Sequence, residues 1–589
     1  MRRLGVLALF LVLALFLVLA LILAVLRYGA THHRLGVLVL VLVLTLGFVV
    51  LFYRTHLGRR AQVRRRARAL RWRARLRLRP GAGYASLAEL VFRWGRLAAL
   101  SHGRRARPSL RWRQRLVMPA TVYAIRLGRA QYGRRVYARM EDQVLVLAPQ
   151  RTGKSGLIAD RILSHRGAVL ATSTRTDLYK ITAAARARRG PIHVFNPQGV
   201  GGLPSTFAWD MLEPCQDLVM ARRIAGWLTG AIVAAGNNHG NIEWFEKKGD
   251  VVLSCLLWAA AVSGHTIADV FNWCELHGHE KALQVLATHP DSTPQMLATV
   301  KRMLAENRTA GSVRDTIELS LAWSVIPELA AAVTPAAGRG FDVSRFIDQT
   351  GTLYMIASGD EDSPLTPLFR CFASYVHYAA GLKGSMAPAG RLDPPLLMAL
   401  DEVTTICPVD LPVMLSDSAG KGVLIVAVVH GTSQLEERWG EYGGKTVWAT
   451  CGTKILLGGI SDADTLEAVS QLCGSVVIGD ADTPVQIVPP ELVRALPNWR
   501  ALVIRMNLNP VIVKIRPAWK RPAHRLGRFA SVPMPRPAVA MVEGRVLDFD
   551  LADTISLELT QAEAEGAPEG FPFAGSLSGP SLTRKGGDD

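Results

Sequence analysis

The chain has 589 residues, a formal net charge of +21 and a hydrophobic share of 49%. This length and apolarity allow about two to four domains with large buried cores. Seven cysteines are scattered without close pairs, which excludes a disulfide framework and is typical of a reduced compartment.

Two long apolar runs open the chain. Residues 4–26 form an uncharged run of 23 residues, and residues 35–53 form a second run of 19. Each is about the length that crosses a bilayer as a helix. A cleaved signal peptide is the alternative for the first run, but that run is too long for one, and a second span follows it directly. We therefore predict a two-helix transmembrane hairpin over residues 1–55.

Arginines flank the predicted hairpin unequally. The connector between the two runs holds only Arg27 and Arg34, whereas residues 54–79 hold twelve arginines. By the positive-inside rule, both termini face the cytoplasm. The sequence therefore predicts a two-pass membrane protein whose remaining domains are cytoplasmic.

The positive charge is concentrated near the N-terminus. Residues 54–140 hold 25 arginines against a single acidic residue, Glu89, so the remainder of the chain after residue 140 is slightly acidic. We interpret residues 56–120 as a basic cytoplasmic linker. Its arginines serve either as a topology signal in contact with anionic lipid or, over residues 64–79 with Trp72 interleaved, as a nucleic-acid contact. Both interpretations stay open.

The first lysine of the chain, Lys154, lies in a phosphate-loop pattern that follows the apolar run 144–147. The backbone N–H groups of such a loop wrap the phosphates, the lysine reaches the terminal ones, and the hydroxyl of Ser155 completes a magnesium shell. The pattern usually begins with glycine, and here alanine stands at 148, so a chance match is the alternative. The helix-compatible stretch 157–163 favours the phosphate loop.

The predicted nucleotide-binding residues are Ala148, Pro149, Gln150, Arg151, Thr152, Gly153, Lys154, Ser155 and Gly156. The ligands predicted for this loop are ATP and Mg²⁺, and the chain is predicted to be an ATPase.

Short apolar runs alternate with helical stretches along the rest of the chain, which is typical of a doubly wound α/β fold with a parallel-sheet core. The runs predicted as further strands are Ala168–Ala171, Ile192–Phe195, Leu353–Ala357, Leu396–Leu400, Val423–Val429, Lys454–Leu457 and Val476–Ile478. The predicted domains are the two parts of a nucleotide-binding domain at 121–202 and 346–518, an all-α insertion at 203–345, and a tail at 519–589. The tail is proline-rich and then acidic, and we predict that it is disordered.

Two adjacent acids, Asp401 and Glu402, directly follow the predicted strand 396–400. Asp401 is placed to hold magnesium, partly through water, and Glu402 to polarise the attacking water. A solvated strand end is the alternative for this pair. After the next predicted strand, Gln434 is a candidate sensor of the γ-phosphate or of the lytic water.

Together these residues resemble the coupling-protein ATPases of type IV secretion and conjugation, the TraG/TraD-like family. The resemblance runs from residue 1 to about residue 518 and is most specific at the motifs. The matching features are the apolar hairpin, the Ala-Pro start of the loop, Leu400 to Glu402, Ser433 to Leu435 followed by Trp439 and Gly440, Gly458 with Asp462, Asp464 and Thr465, and the segment from Pro489 to Pro497.

This resemblance implies a RecA-like P-loop motor that forms a homo-hexamer at the cell inner membrane. It implies that the motor recruits single-stranded DNA with its relaxase, or effector proteins, and delivers them to a secretion channel. The all-α insertion would recognise the cargo. In the implied cycle, Lys154 binds phosphates, Ser155 and Asp401 hold magnesium, Glu402 activates water and Gln434 couples hydrolysis to subunit movement.

The chain departs from the family pattern at two positions. His430 stands where the family usually has glutamine, and Lys421 is the nearest basic residue where relatives carry an arginine that acts across the subunit interface. Lysine lacks the planar fork of arginine and is a weaker partner for phosphate.

Three other functions stay open at this point. They are a septum-type double-stranded DNA translocase, a secretion ATPase for protein cargo alone, and a docking platform with a degenerate ATP site.

Overall fold

The computed structural model describes residues 83–522, except 234–238, 275–277, 304–307, 337, 360–362 and 478–483, together with residue 524 and the strands at 539–542 and 545–548. The predicted transmembrane hairpin lies outside these residues, as does most of the predicted tail. Within the described part of the chain, no helix combines the length and apolarity needed to cross a membrane.

Fifteen strands are assigned in this part of the chain. They are β1 (Ala124–Arg129), β2 (Arg135–Arg139), β3 (Val144–Leu147), β4 (Val169–Ser173), β5 (Ile192–Phe195), β6 (Thr352–Ile356), β7 (Leu396–Leu400), β8 (Val423–Val429), β9 (Thr453–Leu457), β10 (Ser475–Val476), β11 (Val485–Gln486), β12 (Arg500–Arg505), β13 (Leu508–Lys514), β14 (Val539–Val542) and β15 (Arg545–Asp548).

The α-helices are α1 (Leu87–Phe92), α2 (Arg96–Ala106), α3 (Trp112–Val117), α4 (Lys154–Ser164), α5 (Asp177–Arg186), α6 (Leu218–Val233), α7 (His239–Ser263), α8 (Ile267–Cys274), α9 (Glu280–Thr288), α10 (Pro294–Met303), α11 (Arg308–Leu321), α12 (Pro327–Ala331), α13 (Val343–Asp348), α14 (Thr366–Met386), α15 (Leu411–Lys421), α16 (Thr432–Thr450), α17 (Ala463–Cys473) and α18 (Pro490–Arg494).

Eleven of these strands form one sheet, in the order β2-β1-β13-β12-β9-β3-β8-β7-β4-β6-β5. The seven strands from β9 to β5 are parallel. Three of them, β3, β7 and β8, are continuous runs of buried apolar residues, as expected of a parallel sheet covered by helices on both faces. The predicted α/β fold with a parallel core is therefore confirmed.

The direction of the crossovers places the helices on two faces. The chain moves from β3 to β4 and β5 in one direction along the sheet, and from β6 back through β7 and β8 to β9 in the other. Because crossovers between parallel strands are right-handed, α4 and α5 cover one face, whereas α14, α15 and α16 cover the opposite face. The carboxyl ends of β3, β7 and β8 meet at one edge of the sheet.

The antiparallel end of the sheet did not emerge from the sequence patterns. Strands β12, β13, β1 and β2 continue the sheet beyond β9 in antiparallel pairs. Arginines occur in β1, β2 and β12, so these strands do not read as apolar runs. A second difference is the run predicted at 476–478, of which residue 476 belongs to β10. Within the described residues, that strand pairs with β11 in a separate two-stranded sheet.

Residues 83–120 lie in the predicted basic linker, and the structure shows three helices there, α1 to α3. The side chains of Leu90 and Trp94 are fully buried in the same core as β3 and α4. Arginines lie in the same stretch as these buried apolar residues, so the stretch is both basic and folded.

Between β5 and β6, all secondary structure assigned in the described residues is helical. Helix α6 packs along α7 and against α14, which joins this helical region to the sheet. The domain bounds stay predictions.

Candidate active site

The phosphate-loop pattern connects β3 to α4. The loop bends through two residues with positive φ, Arg151 at 62° and Gly153 at 103°. The hydroxyl of Thr152 donates a hydrogen bond to the carbonyl of Pro149 at 2.6 Å and closes the turn. Because α4 begins at Lys154, its free N–H groups and the positive end of its dipole face the loop, an arrangement that attracts phosphate.

Alanine at position 148 is explained by the position of that residue in the sheet. Ala148 is fully buried, and its N–H donates to the carbonyl of Val429 at 3.0 Å. Its carbonyl accepts a hydrogen bond from Nδ1 of His430 at 2.9 Å. The backbone at 148 thus continues the ladder between β3 and β8, so it does not need the conformational freedom of glycine.

The acidic pair, Asp401 and Glu402, lies beside the loop lysine. The ammonium of Lys154 is 3.7 Å from Oδ1 of Asp401 and forms a close ion pair with Oε1 of Glu402. All three side chains are largely shielded from solvent. Strand β8 separates β3 from β7, and the three charges meet above its carboxyl end.

Burial and neighbouring charge have opposite effects on the pKa values of Lys154 and Asp401. Burial lowers the pKa of Lys154, and the charge of Asp401 counteracts that fall. Burial likewise raises the pKa of Asp401, and the charges of Lys154 and His430 counteract that rise. The pair therefore lies where a further charged ligand would change the electrostatic balance strongly.

The residues at this point fit a magnesium ion. Oδ1 of Asp401 is buried and has no hydrogen-bond partner among the described residues, since the ammonium at 3.7 Å is beyond hydrogen-bond distance. The main-chain oxygen of Asp401 accepts a hydrogen bond from the hydroxyl of Thr172 at 2.8 Å, which anchors the residue to β4. Carboxylate and hydroxyl oxygens, here Asp401 and Ser155, are the ligands that magnesium prefers.

His430 joins the two halves of the site. Its Nε2 lies 3.3 Å from Oε2 of Glu402, while its Nδ1 contacts Ala148. The sequence marked His430 only as a departure from the family pattern; its position directly after β8 was the signal that it belongs to the site.

Gln434 lies in the first turn of α16, and its side-chain oxygen already accepts a hydrogen bond. Oε1 accepts a hydrogen bond from the N–H of His430 at 2.9 Å. The structure thus links Gln434 to His430 and, through it, to Glu402. The sensor role of Gln434 stays a prediction.

The segment after β9 holds this corner in place. The N–H of Thr432 donates to Oγ1 of Thr465 at 2.7 Å, and that hydroxyl donates to Oδ2 of Asp462 at 2.6 Å. Asp462 also accepts from the hydroxyl of Ser433 at 3.3 Å. The polar residues around Gly458 that resemble the family motif therefore fix the start of α16, the helix that carries Gln434.

Two tryptophans that were not predicted lie against the loop. A Cβ placed on Gly156 would come within 2.9 Å of the ring of Trp499, and one on Gly153 within 3.0 Å of it. Trp519 meets Trp499 edge to face at 5.1 Å. Both glycines therefore make room for this ring, a requirement that is separate from phosphate binding.

Lys421 does not reach this site within the chain. It ends α15 before β8 begins, at the sheet edge opposite the phosphate loop, and it pairs with Asp417. Its action across a subunit interface stays a prediction.

Comparison with known proteins bears on the segment that carries most of these residues. Residues 395–486 match the family model described as the TraM recognition site of TraD and TraG. This match confirms the TraG/TraD-like resemblance. The matched TraG/TraD-like segment runs from β7 to β11 and includes Asp401, Glu402, His430 and Gln434.

Solved structures agree with the TraG/TraD-like resemblance in fold. The bacterial conjugative coupling protein TrwBdeltaN70, in its unbound monoclinic form, is 19% identical and aligns over 66% of this chain and 89% of its own, with a TM-score of 0.52. Plasmid coupling protein TrwB with the GTP analogue GDPNP is 20% identical over 65% of this chain and 88% of its own, with a TM-score of 0.51. Plasmid coupling protein TrwB with the ATP analogue ADPNP is 19% identical over 65% of this chain and 88% of its own, with a TM-score of 0.50. A comparison with curated proteins gives no match.

Proposed function

We propose that this chain is a membrane-anchored, ATP-driven coupling protein. It recruits single-stranded DNA with its relaxase, or effector protein, and delivers it to a type IV secretion or conjugation channel. The observation that carries the proposal is the meeting of Lys154, Asp401 and Glu402 at the start of α4, inside a segment and a fold that resemble the coupling proteins.

The chemistry follows from the charges at the loop. The loop N–H groups and Lys154 bind the phosphates of ATP, which replace the carboxylates as partners of the ammonium. Freed from Lys154, Glu402 orients the attacking water and accepts its proton, with His430 holding its second oxygen. Ser155 and Asp401 would hold magnesium, which neutralises phosphate charge when it is bound. Gln434 transmits the change at His430 to α16.

Membrane anchoring and assembly belong to the same proposal. The hairpin over residues 1–55 anchors the chain in the inner membrane with the motor in the cytoplasm, and six copies form the ring. The family description names a recognition site for TraM, which supports docking of a partner protein on the segment 395–486.

The test is ATP hydrolysis by the full chain with and without single-stranded DNA. Lys154→Ala is expected to reduce hydrolysis to background, whereas Lys180→Ala, an exposed lysine on α5, keeps the parent rate. Stimulation that depends on the length of the single strand and on salt supports DNA transport. Stimulation by duplex alone would favour a double-stranded DNA translocase, and lysine-dependent hydrolysis that ignores DNA would favour protein cargo. No hydrolysis by the parent chain would contradict the motor and favour a docking platform.

A further inference from the structure

A cavity of about 590 Å³ lies between α6, α14 and α15, on the face of the sheet opposite α4. Residues that line it come from the helical insertion and from the sheet domain, and none belongs to the phosphate loop. A volume of this size is typical of sites for small organic ligands. The cavity is therefore a candidate site in addition to the ATP site.

Small residues of α14 line the cavity. They are Ser374 and Gly381. A Cβ on Gly381 would approach the side chain of Lys421 to 3.2 Å, so a larger residue there would press on the opposite wall. The helices thus leave room where most helix pairs interdigitate large side chains.

One wall of the cavity is aromatic and cationic. The guanidinium of Arg223 lies over the ring of Tyr378, 4.7 Å from its centroid, and the ring of Trp227 is 6.2 Å from that of Tyr378. Both Tyr378 and Trp227 are only half-buried. The guanidinium covers one face of the Tyr378 ring. The rings and the flat guanidinium together offer a stacking surface to an aromatic ligand and a positive charge to an anion.

The other charges of the lining leave the cavity slightly positive. Arg223, Arg370 and Lys421 line it against Asp410 and Asp417. Lys421 is paired with Asp417, and Asp410 caps its own helix by accepting the N–H of Val413. The exposed Arg223 is thus well placed to meet a ligand anion.

A buried hydroxyl lines the same cavity. Ser374 is 1% exposed, and among the described residues its Oγ has no hydrogen-bond partner. Leaving a buried hydroxyl unsatisfied is unfavourable, so buried groups of this kind normally have a partner. A polar atom of a ligand in the cavity would supply one.

We propose that this cavity binds a nucleotide unit, an aromatic base with its phosphate, either as a free nucleotide or within a single strand of nucleic acid. The base stacks on Tyr378, the phosphate meets Arg223, and the hydroxyl of Ser374 bonds to a polar edge of the base. The single-strand source rests on the proposed function, whereas the site itself does not. Lys421 has a place in this site as part of the wall that faces Gly381.

The experiment measures binding of two probes to the full chain in detergent, in a Lys154→Ala background so that the phosphate loop contributes little. The probes are a fluorescently labelled oligothymidylate and a labelled thymidine monophosphate. Stacking on an aromatic side chain contributes about 1–3 kcal/mol per base, so Tyr378→Ala is expected to raise Kd about tenfold. Arg223→Ala is expected to raise it about fivefold.

Two matched variants complete the design. Tyr378→Phe keeps the ring and is expected to bind as the parent does. Arg222→Ala removes the same charge from the neighbouring exposed position, which does not line the cavity, and is expected to leave the change in Kd below twofold. If Tyr378→Ala lowers the Tm, Arg223→Ala, at an exposed position, still decides the question.

The outcomes separate the sources. If Tyr378→Ala and Arg223→Ala weaken binding of the oligothymidylate alone, the ligand is a single strand. If they weaken binding of both probes, the ligand is a free nucleotide. Equal Kd values for the parent, Arg223→Ala and Arg222→Ala would overturn the site, and so would equal losses in Tyr378→Phe and Tyr378→Ala, because stacking needs only the ring. Both probes are measured without ATP hydrolysis, in the Lys154→Ala background, so this proposal and the motor fail independently.

Discussion

At the scale of single residues, the site depends on a few side chains that each have two contacts. Glu402 contacts Lys154 through one oxygen and His430 through the other. Its φ of 50° places it in the left-handed region, where a residue other than glycine is uncommon. Backbone strain of this kind is found at functional sites, and here it aims the carboxylate at the loop.

Glu402→Gln is expected to bind ATP and hydrolyse it at a rate lower by about a hundredfold or more, because the amide cannot accept the proton of water. Single-turnover hydrolysis gives the rate, and binding of a fluorescent ATP analogue reports the affinity. Glu437→Gln, an exposed glutamate on α16, serves as the control. An unchanged rate in Glu402→Gln would refute the assignment of the base.

Gly156→Ala is expected to lower the free energy of unfolding by about 1–3 kcal/mol, the usual cost of overpacking, because its Cβ would meet Trp499. Urea denaturation measures the change. Gly420→Ala, in a helix and with open space at its Cβ, is expected to be neutral or stabilising. Combining Gly156→Ala with Trp499→Phe should recover part of the loss, and no recovery would show that the ring is not the obstacle.

At the scale of elements, the corner between β8 and α16 is held by α17. Asp462 and Thr465 satisfy donors at the start of α16, the helix whose first turn carries Gln434. Burial raises the pKa of Asp462, but hydrogen bonds from Thr465 and Ser433 outweigh that effect and lower it overall. A carboxyl with a depressed pKa stabilises the fold above its unfolded pKa, and this contribution is lost as the pH falls through the folded pKa.

Asp462→Ala is therefore expected to be less stable than the parent at neutral pH, with a difference that shrinks as the pH falls below about 4. Denaturant unfolding at neutral and acidic pH measures both values. Asp464→Ala, an exposed neighbour, should show little difference at either pH. A difference for Asp462→Ala that stays constant with pH would mean that the carboxylate charge is not what stabilises this corner.

At the scale of the whole molecule, the basic region before β1 is partly packed into the core of the sheet domain. Trp94 is fully buried, and the guanidinium of Arg505 lies 6.0 Å from its ring centroid. Arg505 in turn forms a buried ion pair with Asp142 at 2.6 Å. Helices α1 and α2 thus share a core with the antiparallel end of the sheet.

Trp94→Ala is expected to destabilise the protein by about 3–5 kcal/mol, because it removes a large buried ring and leaves a cavity. Chemical denaturation monitored by circular dichroism tests this. Trp112→Ala, at a site 61% exposed, is expected to stay within about 0.5 kcal/mol of the parent. Similar small effects for both variants would show that residues before β1 are an appended linker.

The sequence by itself determined the phosphate loop, the acidic pair and the parallel core. These features depend on local patterns, namely a buried apolar run followed by a loop of glycine and lysine, or by two acids. Seven predicted strands, such as β7 and β8, lie in the main sheet, because a short apolar run bounded by turns is typical of a buried parallel strand.

Only the tertiary structure decided which distant residues complete the site. Trp499 packs on Gly156, and His430 bridges Ala148 and Glu402, because strand order brings together segments far apart in the chain. The sequence patterns did not predict the arginine-containing antiparallel strands, for a related reason. Long side chains bury their stems and keep their charges at partners or in solvent, so charge along the sequence does not report burial. That distinction is made by packing, which no local pattern records.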